Sequence, residues 1–404
     1  MKYENITFIG LNYFPESTAI GLYSTQWVEF LESKGAKINV VTAFPYYPQW
    51  EIAPEYKKKP TFFSEKIGST QLYRYKQYTP KKPTFGKRII HILDFTFGSF
   101  FNLFKIKKCD LVISVIPFTS SALLGYIQKK RFGAKSWVHI QDFEFDAAFQ
   151  SGLTKKSQKG VIYKILMVLE RAILNRADTV STISNMMLQS LQKKSKAPTY
   201  FLPNWIDNKT IDPSKSKIHP FLTSGKVKVL YSGNIGDKQD WKLFLALLKI
   251  IDHEKFEFTI VGDGAYRQQL EREISSYKGV RLFPPVPYEE LSDLLCSADV
   301  QLLFQKSDVL DTVMPSKILG MMASAKPSII TGHSDSEVKK VIEQSNGGYY
   351  IDEVSAEKVL YYLDKIASNT QQNKIIGLNA RQYVIENFAK EEILERFWIS
   401  LNNL

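Results

Sequence analysis

Cysteine is scarce. Of 404 residues only Cys109 and Cys296 carry a thiol. They lie far apart with no neighbouring ligand at metal-like spacing, which argues against a disulfide framework or a zinc site and suits a reducing compartment. No apolar run reaches the ~18 residues that span a bilayer. Residues 1–5 lead straight into a strand-like segment, so no signal peptide is expected. No zinc-finger, RNP or basic-zipper pattern occurs, which weighs against nucleic acid as the partner. Positive excess is also missing from one half of the chain. Residues 208–404 hold 24 Lys and Arg against 26 Asp and Glu, whereas residues 1–207 hold 29 against 15. The whole net charge of +12 therefore comes from the first half. Such a half faces anionic lipid or a phosphorylated substrate.

What is present reads as a globular chain, with 44% hydrophobic residues, and its length suits two domains of about 200 residues each. The segment 6–11 has the composition of a buried parallel strand. A polar loop over 12–21, a helix over 22–34 and a second strand over 37–42 follow, the opening of a doubly wound α/β domain. Ligands bind beyond the carboxyl ends of such strands, so the loop containing Gly21 is a site candidate. It lacks Gly-x-Gly-x-x-Gly, against a dinucleotide dehydrogenase. Residues 81–108 pair seven Lys and Arg with six Phe around an apolar helix at 89–104. Buried core and a monotopic membrane contact both fit that pattern. The strand near Trp137 ends on His139, Asp142 and Glu144, a polar cluster where catalytic groups collect.

The pattern restarts after a Pro-, Ser- and Lys-rich stretch at 208–226, read as a linker. A strand at 227–231 runs into Gly233-Asn234-Ile235-Gly236-Asp237-Lys238, where two glycines admit a close anion and Lys238 supplies charge. Strand 256–261 ends at Gly262, and 280–283 ends at Phe283. The densest stretch is 308–330. Pro315 suits the first turn of a helix, which places Ser316 and Lys317 at its positive end, a seat for phosphate.

The string Pro-Ser-Lys-Ile-Leu-Gly-Met-Met-Ala-Ser-Ala-Lys-Pro at 315–327 resembles the donor segment of retaining glycosyltransferases of family 4, a GT-B group. His-Ile-Gln-Asp-Phe-Glu at 139–144 and Gly-Asn-Ile-Gly-x-Lys-Gln at 233–239 resemble its bacterial polysaccharide branch, which includes colanic-acid-type fucosyltransferases and N-acetylfucosamine transferases. The resemblance runs from residue 6 to about 390. It implies two Rossmann-like doubly wound domains facing a cleft, an acceptor-side domain at 1–207 and a nucleotide-sugar domain at 227–389. A C-terminal helix then crosses back, with 390–404 on the first domain.

The same resemblance implies a nucleotide-sugar donor, a UDP-sugar or GDP-fucose, held by Gly21, Gly233, Asn234, Gly236, Lys238, Gly262, Phe283, Pro315, Ser316 and Lys317. Most relatives carry two glutamates eight positions apart in this segment; here Thr312 and Gly320 stand in their places. Asp308 or Asp311 is the candidate heir of the first, and the second, a ribose ligand, has none. His139, Asp142 and Glu144 would serve the acceptor, with Gln141 the alternative to His139. No Asp-x-Asp metal site occurs, so neither metal nor cofactor is expected. The implied activity is metal-independent retaining transfer to a lipid-linked or glycan acceptor in capsule or O-antigen synthesis, on a polyprenyl diphosphate at the inner face of the cell membrane. A nucleotide-sugar 2-epimerase and a non-catalytic nucleotide-sugar binder are the alternatives.

Overall fold

A computed structural model describes residues 2–17, 19–82, 84–143, 159–308 and 314–404. Glu144, Asp311 and Thr312 lie outside them. The chain forms two compact units, Met1–Pro203 with Leu394–Leu404, and Asn204–Ile393. In the first unit the strands are β1 (Asn5–Ile9), β2 (Lys37–Ala43), β3 (Phe62–Ile67), β4 (Thr70–Tyr75), β5 (Leu111–Ile116), β6 (Lys135–Ile140), β7 (Thr179–Thr182) and β8 (Thr199–Phe201). Among the described residues they form one sheet in the order β3-β4-β2-β1-β5-β6-β7-β8. All pairs are parallel except β3 with β4. β5 is buried along its whole length, as a strand covered on both faces must be. The strand order reverses between β1 and β5, where open α/β sheets bind ligands.

The helix Phe85–Leu103 covers this sheet with part of its apolar stretch. One face is core, with Phe95 and Leu103 buried. The other points to solvent, with Leu93 63% and Phe97 66% exposed and Ile90, Phe101 and Phe104 beside them. It lies so close over β4 that a Cβ on Gly98 would meet the Tyr75 ring at 2.3 Å. The helix Lys159–Leu174 likewise exposes Ile165, Val168 and Leu169. The chain comes back to this unit with the helix Lys390–Asn402, where Phe397 packs edge-on between Trp27 at 4.9 Å and Trp137 at 5.0 Å.

The second unit holds β9 (Val227–Ser232), β10 (Phe256–Val261), β11 (Val280–Phe283), β12 (Val300–Phe304), β13 (Ser328–Thr331) and β14 (Gly348–Ile351), all parallel, in the order β11-β10-β9-β12-β13-β14. The reversal falls between β9 and β12. Residues 208–226 are not a free linker. The amides of Asp212, Lys217 and His219 donate to Ser292 Oγ, Asp293 Oδ1 and Ser297 Oγ, and Leu222 joins the core. The C-terminal stretch forms two helices, Thr370–Phe388 and Lys390–Asn402, separated where Ala389 takes up an extended conformation and bridges Ile206.

Candidate functional site

In the second unit the carboxyl ends of β9, β10 and β11 are tied together by backbone. Gly233 N–H donates to Val261 O at 2.9 Å, Ile235 N–H to Asp263 O at 2.8 Å, and Gly262 N–H to Phe283 O at 3.1 Å. Only glycine fits two of these places. Gly233 has φ 138°, and a Cβ on Gly262 would fall 1.9 Å from the Gly233 carbonyl oxygen. Gly236 N–H is taken by Gln239 Oε1 at 3.1 Å. The glycine loop was expected to offer its own amides to a diphosphate; at Gly233 and Gly236 those amides are engaged within the unit. The loop therefore acts by placing side chains.

The side chain it places is Lys317. The helix Ser316–Ala323 starts after Pro315, and Lys317 reaches back over β9. Its Nζ donates to the Tyr231 hydroxyl at 3.1 Å, lies 4.8 Å from that ring's centre, and would be 3.1 Å from a Cβ on Gly233. Tyr231 in turn donates to Asn234 O at 2.6 Å, and burial drives its phenol well above the ordinary range. The neutral phenol thus fixes the ammonium without neutralising it. Lys238 is exposed on the same edge, its carbonyl accepting from Lys306 N–H at 3.3 Å. Lys238 and Lys306, in the loops after β9 and β12, and Lys317, in the first turn of the helix Ser316–Ala323, thus belong to the segments that follow the strands at the β9/β12 reversal. Phe283 stacks on Phe221 at 3.8 Å, its other neighbour being the Arg281 guanidinium at 5.7 Å. Asp308 stands in an exposed turn beyond β12. Gly320 faces inward, its missing Cβ 3.2 Å from Leu295 Cδ1 and 3.6 Å from Ile211 Cδ1, so a glutamate there would enter the core.

In the first unit the corresponding edge adds buried side chains to main-chain hydrogen bonds such as Gly10 N–H to Val41 O at 3.2 Å and Ala43 N–H to Leu11 O at 3.3 Å. Glu16, in the loop after β1, accepts from the amides of Tyr46 and Tyr47, each at 2.8 Å, and from Asn12 Nδ2 at 2.8 Å. Burial raises its pKa and those three hydrogen bonds oppose the rise. Gly21, in the first turn of the helix Ala19–Ser33, clears Glu16, whose carbonyl oxygen a Cβ would meet at 2.7 Å. Asp142 is half-buried just past β6.

His139 requires a correction. It is 1% exposed, edge-on to Trp27 at 5.3 Å. Its Nδ1 lies 2.9 Å from Ser181 Oγ, and its Nε2 accepts from Gln141 Nε2 at 3.0 Å. Burial lowers its pKa to about 3, so it stays neutral. An imidazole with both nitrogens engaged inside the core orders Gln141 and the turn carrying Asp142 and does not itself line an acceptor site. Sequence reasoning also passed over Tyr231, Lys306 and Arg267, whose Nη1 donates to Phe283 O at 2.8 Å. Tyr231 was legible as a polar-tipped ring at a strand's carboxyl end. Among the described residues no group of three or more His, Cys, Asp or Glu could hold a metal ion.

These features have known counterparts. The family description "Glycosyl transferases group 1" matches residues 214–383. The chain is 31% identical over 408 aligned residues, 97% of its length and 98% of the relative's, to the "Putative colanic acid biosynthesis glycosyl transferase WcaI" of Escherichia coli K12. Among solved structures, sucrose-phosphate synthase from Thermosynechococcus elongatus superposes with a TM-score of 0.76 at 16% identity, covering 99% of this chain and 98% of that one. Anabaena HepE in complex with UDP and glucose gives 0.69 at 13%, covering 99% of each. The two parallel α/β units are those of the GT-B fold, and the near-full-length relative places this chain in the group 1 glycosyltransferases.

Proposed function

We propose that the chain transfers a sugar, with retention and without a metal, from a nucleoside-diphosphate donor to a saccharide acceptor in bacterial surface-polysaccharide assembly. The observation that carries this is Lys317, fixed over Gly233 and Tyr231 at the reversal of the second sheet. Departure of the donor's diphosphate places negative charge on its oxygens. A pre-set ammonium and the start of a helix meet that charge with little reorganisation. Lys238, Asn234, Pro315 and Ser316 belong to the same donor edge, and Asp308 stands in the exposed turn beyond β12. Asp142 is the acceptor-side candidate.

The polysaccharide setting rests on the colanic-acid relative, and uridine as the base on the HepE complex. A GDP-sugar would meet the same lysines. The acceptor is read as a sugar on a polyprenyl diphosphate, because the basic unit also turns an apolar helix face outward. No described helix is long and apolar enough to cross a membrane, so the proposed association is peripheral, on the inner leaflet.

The test is a thermal-shift panel of UDP- and GDP-sugars followed by donor turnover with and without lipid-linked saccharides. A ligand at 100 times its Kd stabilises by about 2.7 kcal/mol. One nucleotide sugar should shift the melt and be consumed faster with acceptor. Release of a 2-epimer in place of transfer, or binding without turnover, would overturn the reading.

A further inference from the structure

Among the buried polar groups of the first unit that lack a partner, His91 has surroundings that point to a ligand. His91 is 1% exposed, and neither ring nitrogen is hydrogen-bonded. Leaving such a group unsatisfied forfeits its hydration without return, and most buried polar groups in folded proteins are paired. Three rings surround the imidazole. Tyr46 and Phe118 stand edge-on at 5.1 Å and 5.3 Å, and Trp50 lies at 6.0 Å. The Arg88 guanidinium covers Trp50 at 5.5 Å.

The topology says where this cage is. Tyr46 and Trp50 follow the carboxyl end of β2, and Phe118 follows that of β5, immediately before the helix Thr119–Phe132. The cage therefore stands at the carboxyl edge beside the β1/β5 reversal. Asn102, on the same helix as His91, is also buried without partners. It lies at the opposite end, next to the Leu103 carbonyl that Gln128 and Arg131 hold from the far end of Thr119–Phe132. His91 combines an orphan polar group with aromatic walls and the ligand-binding edge. The first turn of the helix Thr119–Phe132, next to Phe118, carries Ser121, whose buried hydroxyl is likewise unpartnered.

We propose that His91, walled by Tyr46, Trp50 and Phe118, is the specificity-determining anchor of a subsite for a pyranose ring of the acceptor. The proposal rests on the transferase reading and names what its acceptor side recognises. Burial holds the imidazole's pKa near 4, so at neutral pH one nitrogen donates and the other accepts. A sugar hydroxyl offers both complements, whereas an anion would favour the charged form. Ring faces suit the apolar C–H surface of a pyranose. Tyr47 is 38% exposed and Trp50 is half-buried at φ 54°, so the outer wall of the cage borders solvent. A positive φ is uncommon for so bulky a residue and marks a constrained turn there.

The experiment is saturation-transfer NMR on the intact chain at pH 7.5. The probes are methyl α-D-glucopyranoside, methyl α-D-galactopyranoside and methyl N-acetyl-β-D-glucosaminide, with the nucleotide-sugar melt run on every variant. At least one glycoside should show saturation of its ring protons. His91→Ala and Trp50→Ala should each reduce it at least fivefold, while His91→Asn, which keeps a donor and an acceptor, should retain part of it. Variants that keep the nucleotide-sugar shift are folded. If nucleotide sugars shift the wild type but no glycoside is saturated, or if His91→Ala leaves saturation unchanged, the imidazole is met by buried water and the subsite falls. Failure of nucleotide sugars to shift the wild type would overturn the transferase reading itself.

Discussion

The two sheets end in different ways. In the second unit the carboxyl edge is closed by main-chain hydrogen bonds among Gly233, Ile235 and Gly262, and what remains for a ligand is a set of lysines held at fixed places. In the first unit main-chain hydrogen bonds such as Gly10 N–H to Val41 O and Ala43 N–H to Leu11 O are joined by side chains, with the Glu16 carboxylate tying down the loop after β2 and a buried imidazole among rings. A diphosphate presents the same charge in every nucleotide sugar, so a rigid backbone frame with cations suffices. An acceptor differs from one polysaccharide to the next, and side chains can change without disturbing the frame. The charge balance follows the same division, +14 before residue 208 and −2 after it.

The largest expected effects test the rigid edge. Lys317→Met removes the fixed ammonium and should lower turnover by about a hundredfold to a thousandfold, the scale for losing one pre-organised contact to developing charge. Lys238→Met, at an exposed position, should cost no more than Lys317→Met and leave the melting temperature unchanged. Initial rates on the nucleotide sugar found in the thermal panel check both. Turnover within threefold of wild type for both variants removes the donor assignment. Gly262→Ala tests the frame. Its methyl would overlap the Gly233 carbonyl, and overpacking of this kind costs typically 1–3 kcal/mol, about the same here. Urea melts should show that loss, together with a weaker nucleotide-sugar shift.

How far these edges were legible follows from what each residue does locally. β1, β5, β9 and β12 are short segments dominated by Val, Ile, Leu and Phe, and Pro315 marks a helix start, so the α/β framework and the Lys317 position could be read directly. The β3–β4 hairpin could have been read as well. Gly68 and Ser69 form a two-residue turn with Gly68 at φ 60°, but the aromatic-rich composition around 73–78 masked the alternation of a half-buried strand. His139 was misassigned for a deeper reason. Its neighbours Trp27 and Ser181 come from distant segments, and nothing local distinguishes a buried imidazole from an exposed one. Likewise 208–226 has the composition of a linker, and its partners Ser292, Asp293 and Ser297 lie some 80 residues on.

His139 gives a pH-dependent comparison of intermediate size. Its folded pKa of about 3 lies below the ~6.5 of an unfolded histidine. The unfolded chain therefore takes the proton first. The stabilisation is complete above pH 6.5 and is lost as pH falls toward 3. One proton contributes a slope of at most about 1.4 kcal/mol per pH unit. Denaturant melts of wild type and His139→Gln at pH 6.5, 5.5 and 4.5 should differ in slope by up to that amount, with the variant shallower. Equal slopes would mean that the imidazole is not held neutral in the core.

The smallest effect per residue concerns the outer face of the basic unit. Leu93, Phe97, Phe101 and Phe104 form an exposed stripe on the helix Phe85–Leu103, with Lys81, Lys82 and Lys87 near its start and Lys105, Lys107 and Lys108 past its end. The helix Thr119–Phe132, which exposes Leu123, packs against both this helix and Lys159–Leu174 with its own exposed Val168. Aromatic and aliphatic side chains on such a face can enter the headgroup boundary, while lysines near an anionic surface contribute about 1 kcal/mol each. The two contributions respond differently to salt, because the Debye length is about 10 Å at 0.1 M and only about 3 Å at 1 M. Lys81→Gln, Lys82→Gln and Lys87→Gln should each weaken co-sedimentation with anionic vesicles by about fivefold at low salt and by little at 1 M. Leu93→Ser with Phe97→Ser should weaken it at both. Equal partition of the wild type onto neutral and anionic vesicles would remove the electrostatic part, and no binding to either would remove the membrane from the account of this unit's charge.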